Sequence, residues 1–188
     1  MEYNFKLFRW EPGDTEWYDT ELEETAELDV DVWHKIMEGF KLTVSGNTVY
    51  VGKRDGHLVV SFDKGNNWID VTPILPFPVK VFKEIVFAGS TVYVATDTGV
   101  ATSSDGKRWR AITDTAGTHL IMERLAVDGT NVYGASETSV YQLESDGVRW
   151  KQLTPEVPDR VTSLAVDRNV LYVGTQRSGM LHFTVNEE

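Results

Sequence analysis

Cysteine is absent from the chain. That excludes a disulfide framework, a thiol nucleophile and a thiolate metal site, and it fits a reducing compartment. Long apolar runs are absent too, so no membrane span is expected. The first residues, Met1-Glu2-Tyr3-Asn4-Phe5-Lys6, carry no apolar stretch. Neither a signal peptide nor an anchor is therefore expected, and the cytoplasm is the default location. Positive charge is in short supply: 18 Lys and Arg stand against 29 Asp and Glu, for a net charge of −11. Ten of those acids fall between Glu11 and Asp31, where there is no Lys or Arg, so the rest of the chain is close to neutral. A nucleic-acid groove needs a basic stripe, and none is visible.

Several catalytic signatures are also missing. There is no Gly-rich phosphate loop, no Gly-x-Ser-x-Gly and no His-Glu-x-x-His. The four histidines, His34, His57, His119 and His182, show no tight ligand spacing. Zinc sites usually give a close pair, so no metal and no cofactor are expected.

What is present is a repeat. Ser61-Phe62-Asp63-Lys64-Gly65-Asn66-Asn67-Trp68 reads as a turn: Asp63 can accept backbone N–H bonds, Gly65 supplies a positive φ, and Trp68 opens the next strand. Looser copies are Ser103-Ser104-Asp105-Gly106 before Trp109, Ser145-Asp146-Gly147 before Trp150, and Pro12-Gly13-Asp14 before Trp17. Trp68, Trp109 and Trp150 are 41 residues apart, and Tyr50, Tyr93, Tyr133 and Tyr172 recur after 43, 40 and 39. Two markers with one period of about 40–45 residues predict propeller blades of four strands each. The Ser-x-Asp-x-Gly-x-x-Trp stretch at Ser61, Asp63, Gly65 and Trp68 resembles the Asp-box (BNR) repeat of sialidases, sortilin-type receptors, some glycoside hydrolases and photosystem II assembly factors. At Asp105 and Asp146 the turn is one residue shorter. The resemblance implies an all-β propeller; the repeat is a structural corner wherever it occurs, so it implies little about activity.

In order, the chain predicts one propeller domain over 1–188. An N-terminal strand pair spans 4–22 and an acidic insert 23–38, with a short helix near its end. Blades follow at 39–73, 82–114 and 122–155, and a partial blade at 161–185. From Trp17 to Leu42 is 25 residues, against 17, 16 and 14 for the matching later intervals. The ring is expected to close by pairing the Trp17 strand with the last, three-stranded blade, since closure hides edges that would otherwise aggregate. Closure within one chain and closure between two chains, as a homodimer by strand exchange or a shared ring, both remain open. On the innermost strands, Leu42, Ile85, Leu125 and Leu164 should pack between blades, as should Val44, Phe87, Val127 and Val166. Thr43, Val86, Ala126 and Ala165 should face the axis.

Two places can hold a site. The central mouth gathers Lys41, Glu84 and Arg124, which read either as a polar site or as charge pairing that closes the channel. The loop-rich face gathers Lys53, Arg54, Asp55 and His57, then Asp97, Glu137, Gln176 and Arg177. Its longer connections add Trp33, His34, His119 and Arg160. The matched positions Arg54, Asp97, Glu137 and Gln176 differ in every copy, as a ligand site would and as unconstrained loops would. Trp33, outside the repeat, is a candidate partner anchor or a cap on the core. The expected function is a non-catalytic binding or scaffolding module for a protein or small ligand. The alternatives are a sialidase- or glycosidase-type hydrolase, or an engineered or excised propeller with no native activity.

Overall fold

The computed structural model describes residues 8–9, 18–19, 40–153 and 156–185. The acidic insert with its expected helix, and Trp17, Trp33 and His34, lie outside the described residues. Four antiparallel meanders follow one another. The first is β3 (Lys41–Ser45), β4 (Thr48–Gly52), β5 (Leu58–Ser61) and β6 (Ile69–Asp70). The second is β7 (Phe82–Ala88), β8 (Thr91–Thr96), β9 (Val100–Ser103) and β10 (Arg110–Asp114). The third is β11 (Arg124–Asp128), β12 (Asn131–Ser136), β13 (Ser139–Leu143) and β14 (Arg149–Gln152). The last has three strands, β15 (Val161–Asp167), β16 (Val170–Thr175) and β17 (Met180–Thr184). Ahead of them, β1 (Phe8–Arg9) pairs β2 (Tyr18–Asp19). The fold is that of an all-β propeller. No helix among the described residues is long and apolar enough to cross a membrane.

Local chemistry sets these meanders. The second strands, such as Thr48–Gly52 and Thr91–Thr96, are rich in Val, Thr and Tyr, which fit a pleated surface. The first hairpin of each meander turns on two residues. In three of them the leading residue is a glycine at φ near +60° (Gly46, Gly89, Gly129), as a type II′ turn requires. In the last, Arg168 and Asn169 both take positive φ. The second and third meanders share an eight-stranded sheet, because β10 also pairs β14 in parallel at Thr113↔Arg149 and Asp114↔Trp150.

There is no single core. Three cores lie between successive meanders. Tyr50, Leu58, Val60 and Val71 of the first pack on Phe82, Ile85, Val92 and Val94 of the second. Tyr93, Ala95, Val100 and Ile112 meet Met122, Leu125, Val132 and Trp150. Ala126, Tyr133, Ala135 and Val140 meet Val161, Leu171 and Val173. Ile85 and Leu125 thus pack between sheets, as their alignment predicts. Leu42 does not: it is 63% exposed and Val44 is 57% exposed, and among the described residues no sheet covers the outer face of the first meander. The expectation that Val86 and Ala126 face the axis is also corrected. Val86 packs toward the second–third core and Ala126 lies within the third–fourth core. A sheet has two faces, and in the second and third meanders each faces a neighbouring sheet; only the edge of an innermost strand can point at the axis.

Candidate functional site

One face of the molecule carries the tryptophan corners, and the bonding there is structural. The Ser61 hydroxyl donates to Asp63 Oδ1 at 2.7 Å and accepts the Gly65 N–H at 2.8 Å. Asp63 Oδ1 accepts the Asn67 N–H at 2.8 Å, and the Trp68 indole N–H donates to the Gly65 carbonyl at 2.8 Å. Bonds from the Asn67 side chain and backbone and from Ser61 pull the Asp63 carboxyl down to about 2. The second corner repeats the scheme: Ser103 Oγ accepts the Gly106 N–H, Asp105 accepts the N–H groups of Lys107 and Arg108, and its carboxyl is held well below the usual range by those bonds. A side chain at Gly106 would collide with the Tyr50 hydroxyl at 2.7 Å, so glycine is required there by space as well as by its φ of 68°. Burial, then the nearby Asp105 charge, push the Tyr50 phenol up to about 12. In the third corner the Gly147 N–H bonds the Glu144 carbonyl in place of a serine hydroxyl. The Trp150 indole nitrogen, fully buried, has no hydrogen-bond partner there.

The opposite face is formed by the turns between second and third strands together with the connections between meanders. The sequence candidates that lie among the described residues are there, mostly engaged with their own neighbours. Lys53 pairs Asp55 at 3.2 Å, and His57 Nδ1 meets Asp70 Oδ2 at 2.7 Å. Asp97 Oδ1 accepts the N–H groups of Lys80 and Val81, both at 3.1 Å, tying its turn to the incoming connection. Partial desolvation works against the Asp97 charge, but the amide bonds outweigh it and its pKa is lowered. Glu137 sits at φ 49°, and its carbonyl accepts the Val161 N–H at 2.7 Å. The Gln176 N–H bonds the Arg160 carbonyl at 2.9 Å. His119 is exposed, with its ring 5.3 Å from that of Phe77. Arg54 and Arg177 are exposed, and neither makes a hydrogen bond or ion pair among the described residues.

At the mouth, the aligned charges bridge meanders. Glu84 Oε2 accepts the Leu125 N–H at 2.9 Å, and Arg124 Nε donates to the Thr162 carbonyl at 2.9 Å. Lys41 is half-buried on the first strand of the series. Alignment missed the neighbouring ion pair of Lys83 with Glu123, at 3.2 Å, which Arg160 approaches at 3.8 Å. Lys83 lies where the β7–β8 register slips between Phe82 and Glu84, and that bulge puts two consecutive residues, Lys83 and Glu84, in bonds to the third meander. An inserted residue leaves no mark in a period of about 40 residues.

Sequence reasoning also missed a groove of about 1160 Å³ beside β17, lined by Tyr133, Gln152, Leu153, Leu171, Phe183 and Val185 among others. Among the described residues, β17 pairs only with β16. The signal was the missing fourth strand of the last meander. At the preceding boundaries a fourth-strand tryptophan packs on the preceding sheet: Trp109 stands edge-on to Tyr50, ring centres 6.0 Å apart, and Trp150 joins the cluster of Tyr93.

The architecture has many relatives in space and few in sequence. The computationally designed Ika4 protein superposes with a TM-score of 0.64 at 15% identity over 79% of this chain and 92% of its own. YCF48 bound to D1 peptide gives 0.55 at 14% identity, over 76% of this chain and 47% of that one. The GH74 xyloglucanase from Xanthomonas campestris gives 0.58 at 19%, over 78% and 28%. The chain thus spans about half the length of YCF48 and under a third of the xyloglucanase. No curated protein matches it in sequence. Residues 34–170, well over half of the chain, match the profile of the DUF6242 beta propeller domain, and the protein belongs to that family.

Proposed function

We propose that the protein is a non-catalytic binding or scaffolding propeller that presents its turn face to an anionic group on a protein or small ligand. The observation that carries this reading is how the polar residues of that face are used. Asp97 holds its own turn on two amides, Lys53 pairs Asp55 and His57 pairs Asp70. Arg54 and Arg177 occupy comparable turns of the first and last meanders and point to solvent from a braced backbone. Arginine suits planar recognition of carboxylate or phosphate. The serine–aspartate–tryptophan corners support the Asp-box reading, and that repeat serves as scaffold on the other face. YCF48, alike in fold, is seen with a peptide; the xyloglucanase makes hydrolysis the competing reading.

Site-specific photo-crosslinking in cells that express the protein tests this. A crosslinker at Arg54 or Arg177 should give a discrete adduct, and one at Lys107, exposed in the second corner on the other face, should not. Adducts of equal yield from both faces, or turnover of a fluorogenic glycoside panel by the purified protein, would overturn it.

A further inference from the structure

The ends of the sheet array are the two halves of one more boundary. At each internal boundary the same positions meet. The leading face offers Ile85 and Leu125, which are 5% and 4% exposed. The trailing face offers Tyr50, Tyr93 and Tyr133 on second strands and Leu58, Val100 and Val140 on third strands, all buried. The equivalents at the ends stand open. Leu42 and Val44 lead the first meander uncovered, and Tyr172 and Met180 trail the last at 37% and 71% exposure. An apolar leading face at one end and its apolar complement at the other make a head-to-tail pair. The end strands β3 and β15 do not pack on one another as β3 packs on β7.

The N-terminal hairpin points the same way. Its register, Arg9↔Tyr18 and Phe8↔Asp19, has the same residue offsets as Val60↔Ile69 and Val59↔Asp70 in the first meander. The offsets of Gln142↔Lys151 and Tyr141↔Gln152 in the third meander are the same again. Trp17, in sequence, falls where Trp68 and Trp150 fall. The hairpin is a third-and-fourth-strand pair, and in chain order its fourth strand precedes β3 as β6 precedes β7. The last meander holds first, second and third strands and a groove beside the third.

We infer that the occupant of both ends is a second copy of this chain. The leading face of each copy, at Leu42 and Val44, packs on the trailing face of the other, at Tyr172 and Met180. The Tyr18–Asp19 strand of each copy is thereby brought to the groove beside the other's β17. Two such contacts are equivalent under a two-fold axis and close a shared ring, leaving no apolar end exposed. This interface is distinct from the turn face and does not rest on the function proposed for it.

Light scattering of the purified chain should give twice the 21.2 kDa chain mass. Leu42→Asp and Met180→Asp should each give a folded monomer, with unchanged circular dichroism, because both sites are exposed within one chain. Mixing the two variants should restore a two-chain species through the one intact pair of faces. The absence of cysteine allows an independent check. Leu42→Cys mixed with Met180→Cys, treated with a short bismaleimide, should give a crosslinked dimer, and neither alone should. A wild-type monomer, a ladder of higher masses, a crosslink in either single variant by itself, or intramolecular crosslinking of the doubly substituted chain would overturn the inference.

Discussion

Glu84 is the sharpest test of whether the central mouth is structure or binding site. Its Oε2 accepts the N–H of Leu125, a residue only 4% exposed on the neighbouring meander. That amide lies on the free inner edge of β11, and no other acceptor for it is seen among the described residues. Glu84→Ala removes a hydrogen bond to a charged group and strands a buried donor. Bonds to charged groups contribute about 1.5–3 kcal/mol, and a stranded donor costs a comparable amount. Glu84 is half-buried, so water replaces part of the loss, and about 2 kcal/mol is expected. For a chain of this size that is a drop of about 4–8 °C in Tm. Glu84→Gln keeps a carbonyl oxygen in place and loses the charge assistance, which roughly doubles such bonds; it should recover at least half of the deficit. Differential scanning calorimetry of the three proteins reads both quantities. If the alanine variant melts within 1 °C of wild type, Glu84 does not brace the meanders. If the glutamine variant is as weak as alanine, net charge at the mouth matters and the single acceptor does not.

Asp97 and Arg54 occupy matched turns but should separate: Asp97→Ala loses two amide bonds and about 1–2 kcal/mol in urea melts, whereas Arg54→Ala should change stability by less than about 0.5 kcal/mol. Ser61→Ala should cost about 1–2 kcal/mol without abolishing the fold, since the third corner forms without a serine hydroxyl, on the Glu144 carbonyl and the Asp146 carboxylate; a neutral result would refute the role of the hydroxyl. The Asp63 carboxyl titrates near 2 in the folded protein and at about 3.9 unfolded. A depressed pKa contributes stability above the unfolded value and loses it as pH falls through the folded one. The stability gap between wild type and Asp63→Asn should therefore be constant above about pH 5 and shrink between pH 4 and 2. Gly134 has Met122 Sδ 2.8 Å from where a Cβ would stand, and Met122 is fully buried. Gly134→Ala should cost about 1–3 kcal/mol by overpacking and Met122→Ala about 2–5 by cavity formation. The double variant should be less destabilised than their sum, as a double-mutant cycle reports.

Much of the fold was written in Tyr50, Tyr93, Tyr133 and Tyr172 and in Trp68, Trp109 and Trp150, because each must meet the neighbouring sheet at the same place. The propeller, its four meanders and the incomplete last one follow from that period. The direction of the side chains was harder. Val86 and Ala126 alternate with Ile85 and Leu125, and alternation alone says that there are two faces, not what each face meets. The exposure of Leu42 and Met180 was invisible for the same reason: they are spelled like their buried counterparts and differ in having no sheet over them among the described residues. On the turn face, composition placed Asp97 beside Arg54 in one group of candidates. Only the geometry separates a carboxylate that clamps two amides from a guanidinium facing solvent. Lys83 was missed because a bulge shifts register locally without changing the repeat length.

The parallel pairing of β10 with β14 has a consequence for motion. It joins the second and third meanders by backbone bonds at their rims as well as by the Tyr93–Trp150 cluster between them. Among the described residues, the outer meanders lack that seam. In the separated chain, as the Leu42→Asp variant provides it, amide protons of β8, β9, β12 and β13 should therefore exchange last and together, as one cooperative block, while those of β3 and β17 open earlier, each by itself.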